Sequence, residues 1–188
     1  CRVNFPRFSK DYADCIVSDF EKYYAVGRIL SKVTGEQYRL FCERIGAPVS
    51  PAPKEVRKLF NPGLVDAVFT VREYAFDPVK LKNLARRDLD EAGVEIRFRT
   101  EALTVRRVGD AVLEVTCATQ DGGTDRITAT SVLNCTYARL NKLLVDSGLP
   151  NLYLKHELTE MALVEVPEEI AHLGITLMCG PFFSVMPF

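Results

Sequence analysis

The chain of 188 residues is 47% hydrophobic and 26% charged, the composition of a globular protein that can bury a core. Its 24 Lys and Arg residues balance 25 Asp and Glu residues, so no overall basic field argues for binding nucleic acid. No apolar run approaches the roughly 20 residues that a membrane-spanning helix needs.

Both ends of the sequence suggest a cut. The chain begins with Cys1 instead of Met and has no signal-peptide pattern of charged and then apolar residues. It stops inside an apolar pattern, Ser184–Phe188. We therefore expect this chain to be an internal piece of a longer protein.

Two helices and a strand are predicted before residue 76. Tyr12–Ala25 carries apolar residues at helical spacing. Thr34 is a capping residue for a second helix over Gly35–Ile45, which Gly46 would end. Val65–Glu73 has the pattern of a strand.

The stretch from residue 69 to residue 140 organises the rest of the chain. Asp77 can cap a helix whose first residue is Pro78, and an apolar face continues to Ala92. Gly93 would end this helix, and a short strand, Val94–Phe98, is predicted after it.

A hairpin and a second buried strand complete this stretch. Ala111–Cys117 alternates apolar and polar residues, Asp121–Gly123 is a turn signal, and Ile127–Tyr137 is predicted as a buried strand. The order helix, strand, hairpin, strand predicts part of a nucleotide-binding α/β sheet.

The last third is predicted to contain one helix and several strands. Arg139–Val145 has an amphipathic helical pattern, and Leu154–Val166 has the alternation of an extended strand. Ile175–Met178 and Phe182–Met186 are predicted to form a final hairpin around Gly180 and Pro181.

Common catalytic and metal-binding motifs are absent from the sequence. It has no GxGxxG, P-loop or GxSxG motif. His156 and Glu157 begin a metalloprotease-like motif, but Glu160 stands where the second His is required, so no metal site is predicted. The six cysteines form no CxxC pair and mostly lie among apolar residues, which favours buried thiols in a reducing cytoplasm.

The order of motifs from Glu73 to Tyr137 resembles a known family. The pattern E-x-x-F-D with spaced leucines, then G-V-x-I, a strand pair and A-x-x-V-L-N-C-T is similar to the middle of certain FAD-dependent oxidoreductases. These are the enzymes of the D-amino-acid oxidase and glycine oxidase class. Their dinucleotide fingerprint and last FAD-binding segment would lie outside this chain.

The resemblance implies a fold of mixed α+β and α/β class in which two domains are interleaved. A partial FAD-binding α/β domain would occupy residues 77–148. A substrate domain of antiparallel sheet and helices would comprise residues 1–76, as its helical part, and residues 149–188, as its strands.

The resemblance also implies a cofactor, FAD, and positions that contact it. Ala102 and Leu103 occupy the place that packs beside the adenine, and the strand Val132–Tyr137 would pass beneath the cofactor. The implied cofactor-binding residues are therefore Ala102, Leu103, Cys135, Thr136 and Tyr137. Two of them depart from the family pattern, because Cys135 stands for the usual Ala and Tyr137 for the usual Gly.

The implied function is oxidation of a small amine or hydroxy acid by hydride transfer to FAD. No motif identifies the catalytic residue. The candidates are polar residues near or on the predicted strands of the substrate domain: Arg72, His156, Glu157, Thr159 and Glu160. An Arg in this role would bind a substrate carboxylate through two hydrogen bonds.

A second hypothesis assigns no catalysis to the chain. The run Met178–Phe188 is rich in Phe and almost uncharged. As the surface of an interaction module, this hairpin would bind a partner or cause self-association through exposed apolar side chains.

Overall fold

A computed structural model describes residues 3–180 and 182–187. Predictions that involve Cys1, Pro181 or Phe188 therefore lie partly outside the described residues. The chain divides into two compact units, one formed by Cys1–Ala92 with Leu163–Phe188 and the other by Gly93–Ala162. Among the described residues, no helix has the length and apolar character to cross a membrane.

A five-stranded sheet forms the centre of the first unit. Its strands, in spatial order, are β10 (Phe183–Val185), β9 (Leu173–Met178), β2 (Glu21–Gly27), β4 (Val65–Val71) and β3 (Val49–Pro51). Only β2 and β9 pair in parallel, and the other neighbours are antiparallel. A separate two-stranded sheet joins β1 (Ile16–Val17) to β5 (Ala75–Phe76).

The middle strand β2 sends alternate side chains to opposite faces of this sheet, as a pleated strand must. On one face, Tyr23 and Ala25 belong to a buried cluster that also contains Val68 and Ile175. On the other face, Val26 packs in a second cluster. The sheet therefore carries apolar side chains on both faces, and the polar residues of β2 lie next to a packed core.

Four helices accompany the sheet in the first unit: α1 (Phe5–Asp11), α2 (Gly35–Arg44), α3 (Lys54–Arg57) and α4 (Pro78–Glu91). The predicted caps of two of them are confirmed. Thr34 and Gln37 form a capping box at the start of α2. Asp77 accepts hydrogen bonds from the first backbone N–H groups of α4, and Gly93 follows that helix with φ 69°.

The second unit contains an antiparallel three-stranded sheet and one helix. The strands β6 (Glu101–Gly109), β7 (Val112–Ala118) and β8 (Thr124–Ala129) pair in sequence order. The helix α5 (Leu140–Asp146) is joined to β6 by a hydrogen bond of 2.8 Å from the Val105 backbone N–H to Ser147 Oγ. The predicted turn and helix are thus confirmed here.

Four predicted elements are wrong. Tyr12–Ala25 is not a helix but contains β1 and most of β2, whose residues are held by β4 and β9 on either side. The predicted strands Val94–Phe98 and Leu154–Val166 have no strand structure. The predicted strand Ile127–Tyr137 is a strand only as far as Ala129, within β8, and its part Val132–Tyr137 is not. A strand exists only through its ladder with a neighbour, and no described strand lies alongside these three segments.

The predicted fold class is confirmed, because the described residues combine several helices with antiparallel and mixed sheets. The final hairpin is also confirmed, with Leu177 opposite Phe183 and Ile175 opposite Val185. Because β9 of this hairpin pairs with β2, the C-terminal part of the chain completes the sheet that begins near residue 21.

Candidate functional site

A cleft of about 370 Å³ lies on the first unit and is large enough for a small molecule. We call it the Lys22 cleft, and it is lined by Lys22, Tyr24, Glu73, Tyr74, Thr176, Met178, Phe182, Ser184 and Met186. The even-numbered positions of β2 and β9 supply part of its wall, because alternation puts Lys22 and Tyr24 on the same face as the buried Val26.

Lys22 is the buried charge of the cleft, with only 3% of its surface exposed. Its Nζ donates to Thr176 Oγ1 at 2.8 Å and lies 2.7 Å from Met186 Sδ. It also forms an ion pair of 3.4 Å with Glu73 Oε2. Burial lowers the pKa of the Lys22 ammonium, and the charge and hydrogen bonding of Glu73 oppose this.

Glu73 connects Lys22 to Tyr24. The Tyr24 hydroxyl donates to Glu73 Oε2 at 2.9 Å, so the same carboxylate oxygen contacts both side chains. Burial raises the pKa of the Tyr24 hydroxyl, and the Glu73 charge adds to this rise. The Lys22 ammonium also lies 5.4 Å from the centre of the Tyr24 ring.

Two hydroxyl groups extend this network along the cleft. Thr176 Oγ1 and Ser184 Oγ are 2.8 Å apart, and their strands pair at this position. Tyr24, Glu73, Lys22, Thr176 and Ser184 thus form one hydrogen-bonded row. Among the described residues, no buried side-chain polar atom lacks a hydrogen-bond partner.

The first unit has a second cleft, of about 570 Å³, beside α2. Its wall includes Tyr38, Phe41 and Leu40 together with the cations Lys32 and Arg44. Among the described residues that line this second cleft, the charged side chains do not form a hydrogen-bonded row with hydroxyl groups as they do in the Lys22 cleft. The Lys22 cleft is therefore the stronger candidate for chemistry.

The predicted catalytic candidates lie outside the Lys22 cleft. Arg72 belongs to the first unit and is exposed. It follows the last residue of β4 and directly precedes Glu73. The other candidates belong to the second unit, in an exposed stretch without helix or strand: His156, Glu157, Thr159 and Glu160. Within that stretch, Lys155 forms an ion pair of 2.6 Å with Glu157.

The positions predicted to contact a cofactor all lie in the second unit. Ala102 and Leu103 are half-buried on β6, and an ion pair of 2.9 Å links Glu101 of this strand to Arg139. Cys135, Thr136 and Tyr137 are exposed, and Tyr137 begins a short 3-10 helix, Tyr137–Arg139. The structure therefore joins the two predicted segments at one end of β6.

Tyr137 has an unusual backbone conformation. Its φ is 52°, in the left-handed region that favours glycine. The resemblance implies Gly at this position, and the backbone of Tyr137 has the conformation that glycine favours. The Tyr137 ring is 92% exposed, and nearby Leu133 is 87% exposed.

Comparison with known proteins identifies the family. The sequence model of the FAD dependent oxidoreductase family, DAO, matches residues 22–187. The chain belongs to this family. FAD, the cofactor predicted from the sequence, is thereby confirmed as the cofactor of the family.

The search of solved structures gave a match to glycine oxidase from Geobacillus kaustophilus. The match has a TM-score of 0.47 and 17% sequence identity, and it covers 77% of this chain and 40% of that chain. The chain thus spans less than half the length of that glycine oxidase. No curated protein matched the sequence.

The segment Cys135–Tyr137, which the resemblance assigns to the cofactor, combines exposed side chains with a left-handed backbone at Tyr137. Its backbone has the glycine-type conformation at Tyr137, and exposed apolar side chains of Leu133 and Tyr137 offer a surface for a planar ring. The chain contains no glycine-rich turn for the pyrophosphate.

Sequence reasoning missed the residues of the Lys22 cleft. A helix prediction over Tyr12–Ala25 concealed the alternation that puts Lys22 and Tyr24 on one face of a strand. The signal available in the sequence was a single Lys, Lys22, directly before the mainly apolar run Tyr23–Val26, whose residues favour a strand. Such a lysine on a central strand needs a partner, and its partner Glu73 is distant in sequence.

Part of the apolar hairpin also faces this cleft. Phe182 lines the cleft and is 65% exposed, while Phe183 on β10 is half exposed. Met178 and Cys179 are partly buried against the sheet. The docking hypothesis for Met178–Phe188 stays a prediction.

Proposed function

We propose that the protein is a flavin-dependent oxidoreductase that oxidises a small amine or hydroxy acid bound in the Lys22 cleft. The observation that carries this proposal is the hydrogen-bonded polar row in the cleft, in which Lys22 and Thr176 are buried. The match to the family model begins at Lys22 and extends to residue 187. When bound, FAD supplies the acceptor for a hydride.

The first unit would act as the substrate domain, with the cleft of about 370 Å³ as its binding site. Lys22, Tyr24 and Glu73 would orient polar groups of the substrate, and Tyr74 and Phe182 would cover its apolar part. Because Lys22 and Thr176 are buried, the hydrogen bond between them is worth more than one on an exposed surface.

In the second unit, Ala102 and Leu103 on β6 and the loop Cys135–Tyr137 would contact FAD. The Glu101–Arg139 ion pair supports this assignment because it holds the two segments together. Arg72 and the polar residues of the stretch 156–160 remain further candidates for substrate contact, since their side chains are exposed and a ligand can reach them.

The proposal is tested by the visible absorption spectrum of the protein purified from its complete reading frame. We expect the two bands of an oxidised flavin, and we expect them to bleach when a suitable amine or hydroxy acid is added without oxygen. A colourless protein that also fails to take up added FAD would refute the oxidoreductase function and favour the interaction module.

A further inference from the structure

The second cleft of the first unit, which we call the α2 cleft, carries charge of only one sign. Lys32 and Arg44 line it, and no Asp or Glu is among the described residues of its wall. Both side chains are cations at neutral pH. The α2 cleft therefore has two positive charges without a negative one, whereas Glu73 balances Lys22 in the Lys22 cleft.

Neither cation of the α2 cleft has a protein partner. Within the described residues, Lys32 and Arg44 form no ion pair and no side-chain hydrogen bond. The two acids of α2 are already engaged, because Arg39 forms an ion pair of 2.6 Å with Glu36 and a second ion pair with Glu43. The guanidinium of Arg44 therefore keeps its donors for a ligand.

Apolar side chains complete the wall of the α2 cleft. Leu40 and Phe41 line it and are 39% and 58% exposed, although both are large and apolar. Tyr38 and Met178 also line it, and both pack in the cluster around the buried Val26. The cleft thus has a base held by the core and an apolar wall that a ligand would remove from water.

The α2 cleft is large enough for a small organic molecule and is distinct from the Lys22 cleft. Its volume of about 570 Å³ lies within the range of about 300–1,000 Å³ that is typical of ligand pockets. Among the described residues, the two clefts share only Met178. Their charges also differ, so an anion is favoured by uncompensated cations only in the α2 cleft.

We propose that the α2 cleft binds a small organic anion, with one anionic group on an apolar aromatic body. Arg44 and Lys32 bind the anionic group, since a planar guanidinium matches the two oxygens of such a group and an ammonium adds a second charge. Leu40 and Phe41 cover the apolar body. This site goes beyond the proposed function, because it is neither the substrate cleft nor a cofactor contact.

The test is calorimetric titration of the complete protein with three probes of the same shape: 2-naphthoate, the neutral 2-naphthamide and the cation 2-naphthylmethylammonium. We expect 2-naphthoate to bind about fivefold or more tightly than 2-naphthamide, since two exposed charge pairs account for such a factor. The cation should bind most weakly. The advantage of 2-naphthoate should fall as the salt concentration rises, because salt screens exposed charges.

Removal of the two cations should abolish this preference. The double variant Lys32→Gln with Arg44→Gln should bind 2-naphthoate no more tightly than 2-naphthamide, and Arg44→Gln alone should lose part of the advantage. Both residues are exposed, so their replacement leaves no buried charge behind and the variants should fold. A preference for 2-naphthoate that persists in the double variant would overturn the proposal.

Arg57→Gln is the matched control for Arg44→Gln. Arg57 is the last residue of α3, as Arg44 is of α2, and it is exposed without lining the cleft. Its replacement changes the net charge by the same amount and should leave the affinity for 2-naphthoate as in the wild type. Equal losses in the two variants would overturn the proposal, because the charge of the whole protein would then determine binding.

Phe41→Ala tests the apolar part of the site. It should weaken the binding of all three probes by a similar factor, because each loses the same apolar contact. Loss of 2-naphthoate binding in Arg44→Gln but not in Phe41→Ala would overturn the proposal, since the anion would then bind to surface charge alone. A polyglutamate peptide that displaces 2-naphthoate and binds more tightly would also overturn it, in favour of an acidic protein segment.

Calorimetry needs no flavin, so this site and the proposed function can fail separately. A colourless protein that binds 2-naphthoate through Arg44 would refute the oxidoreductase function and support the anion site. A flavoprotein that is bleached by its substrate but binds 2-naphthoate no better than 2-naphthamide would refute the anion site and support the oxidoreductase function.

Discussion

Gly35, the first residue of α2, gives a sharp test of how this helix is held on the sheet. A Cβ atom at this position would lie 2.4 Å from Ala67 Cβ on β4 and 3.2 Å from Asp66 Oδ2. The Gly35 backbone N–H also donates to Asp66 Oδ2 at 2.8 Å. Only a residue without a side chain allows this approach of the helix to the strand.

The cost of Gly35→Ala follows from these distances. Two carbon atoms pack best at about 3.5–4.0 Å, so helix and strand would have to separate by about 1 Å. Such overpacking costs about 1–3 kcal/mol, and the better helix propensity of Ala returns up to about 1 kcal/mol. We therefore expect the free energy of unfolding to fall by about 1–2 kcal/mol in urea denaturation of the complete protein.

A rescue variant distinguishes this clash from other effects. Ala67→Gly removes the atom that the new methyl group at position 35 would meet, so the double variant should recover most of the loss apart from about 0.5–1 kcal/mol for Gly in a strand. Gly27→Ala is the control in the same unit, because its new Cβ would have only ordinary contacts of 3.6 Å or more. A Gly35→Ala protein as stable as the wild type, or a double variant without recovery, would refute the reasoning.

The position of α2 matters for the candidate site. The ring of Tyr38 on this helix lies 5.5 Å from the ring of Phe69 and 6.1 Å from the ring of Tyr24. Tyr24 in turn donates to Glu73 in the Lys22 cleft. We therefore expect Gly35→Ala to weaken ligand binding in that cleft in addition to its effect on stability.

Two further predictions concern tyrosines. Burial raises the pKa of the Tyr23 hydroxyl from 10.0 to about 12, and it also raises the pKa of Tyr24 and Tyr38, so folding keeps these phenols protonated. Their contribution to stability is intact below pH 10 and should be lost as the pH rises through about 12. The absorbance of their tyrosinate forms should therefore appear together with unfolding. Tyrosinate that forms at pH 10 in the intact fold and is lost in the Tyr23→Phe, Tyr24→Phe or Tyr38→Phe variant would contradict this, whereas the other four tyrosines contribute equally to both proteins. Tyr137→Gly should keep or increase the free energy of unfolding by up to about 1 kcal/mol, because glycine avoids about 1–2 kcal/mol at φ 52° and loses about 0.5–1 kcal/mol in chain entropy. Tyr153→Gly, an exposed position that is not among the residues with positive φ, should show no gain, and equal losses in both variants would refute the prediction.

Elements set by local signals could be predicted from the sequence. The start of α4 at Pro78 follows from Asp77, whose Oδ1 accepts from two backbone N–H groups, and its end follows from Gly93. The capping box of Thr34 and Gln37 fixes the start of α2 in the same way. The two partners of a cap lie within one helical turn of each other, so a short sequence pattern is sufficient to predict the cap.

Elements set by distant partners could not be predicted. The apolar residues of Tyr12–Ala25 fit helical spacing, yet β2 forms in this segment because β4 and β9 flank it. The hydrogen bond between Lys22 and Thr176 joins residues separated by 154 positions. Conversely, Val94–Phe98 has the residues of a strand but no described strand beside it, so its pattern alone does not produce one.

The cofactor positions were predicted only through the family resemblance, and the structure adds the reason for one departure from the pattern. A Gly-to-Tyr change normally disfavours a left-handed backbone, which would move the loop. Here Tyr137 keeps φ at 52° with its ring exposed, so the strain of about 1–2 kcal/mol from its own Cβ is offset elsewhere in the fold. The loop shape and the side chain at this position are therefore set separately.

The Lys22 cleft shows why a buried ion pair is better explained by binding than by stability. Taking Lys22 out of water costs free energy that its pair with Glu73 only partly returns, and apolar replacements of such pairs are often neutral or stabilising. The odd-numbered neighbours Tyr23 and Ala25 show that this strand accepts fully buried apolar side chains. A polar row at Lys22, Glu73 and Thr176 that opens into a cleft is therefore most simply explained by a polar ligand.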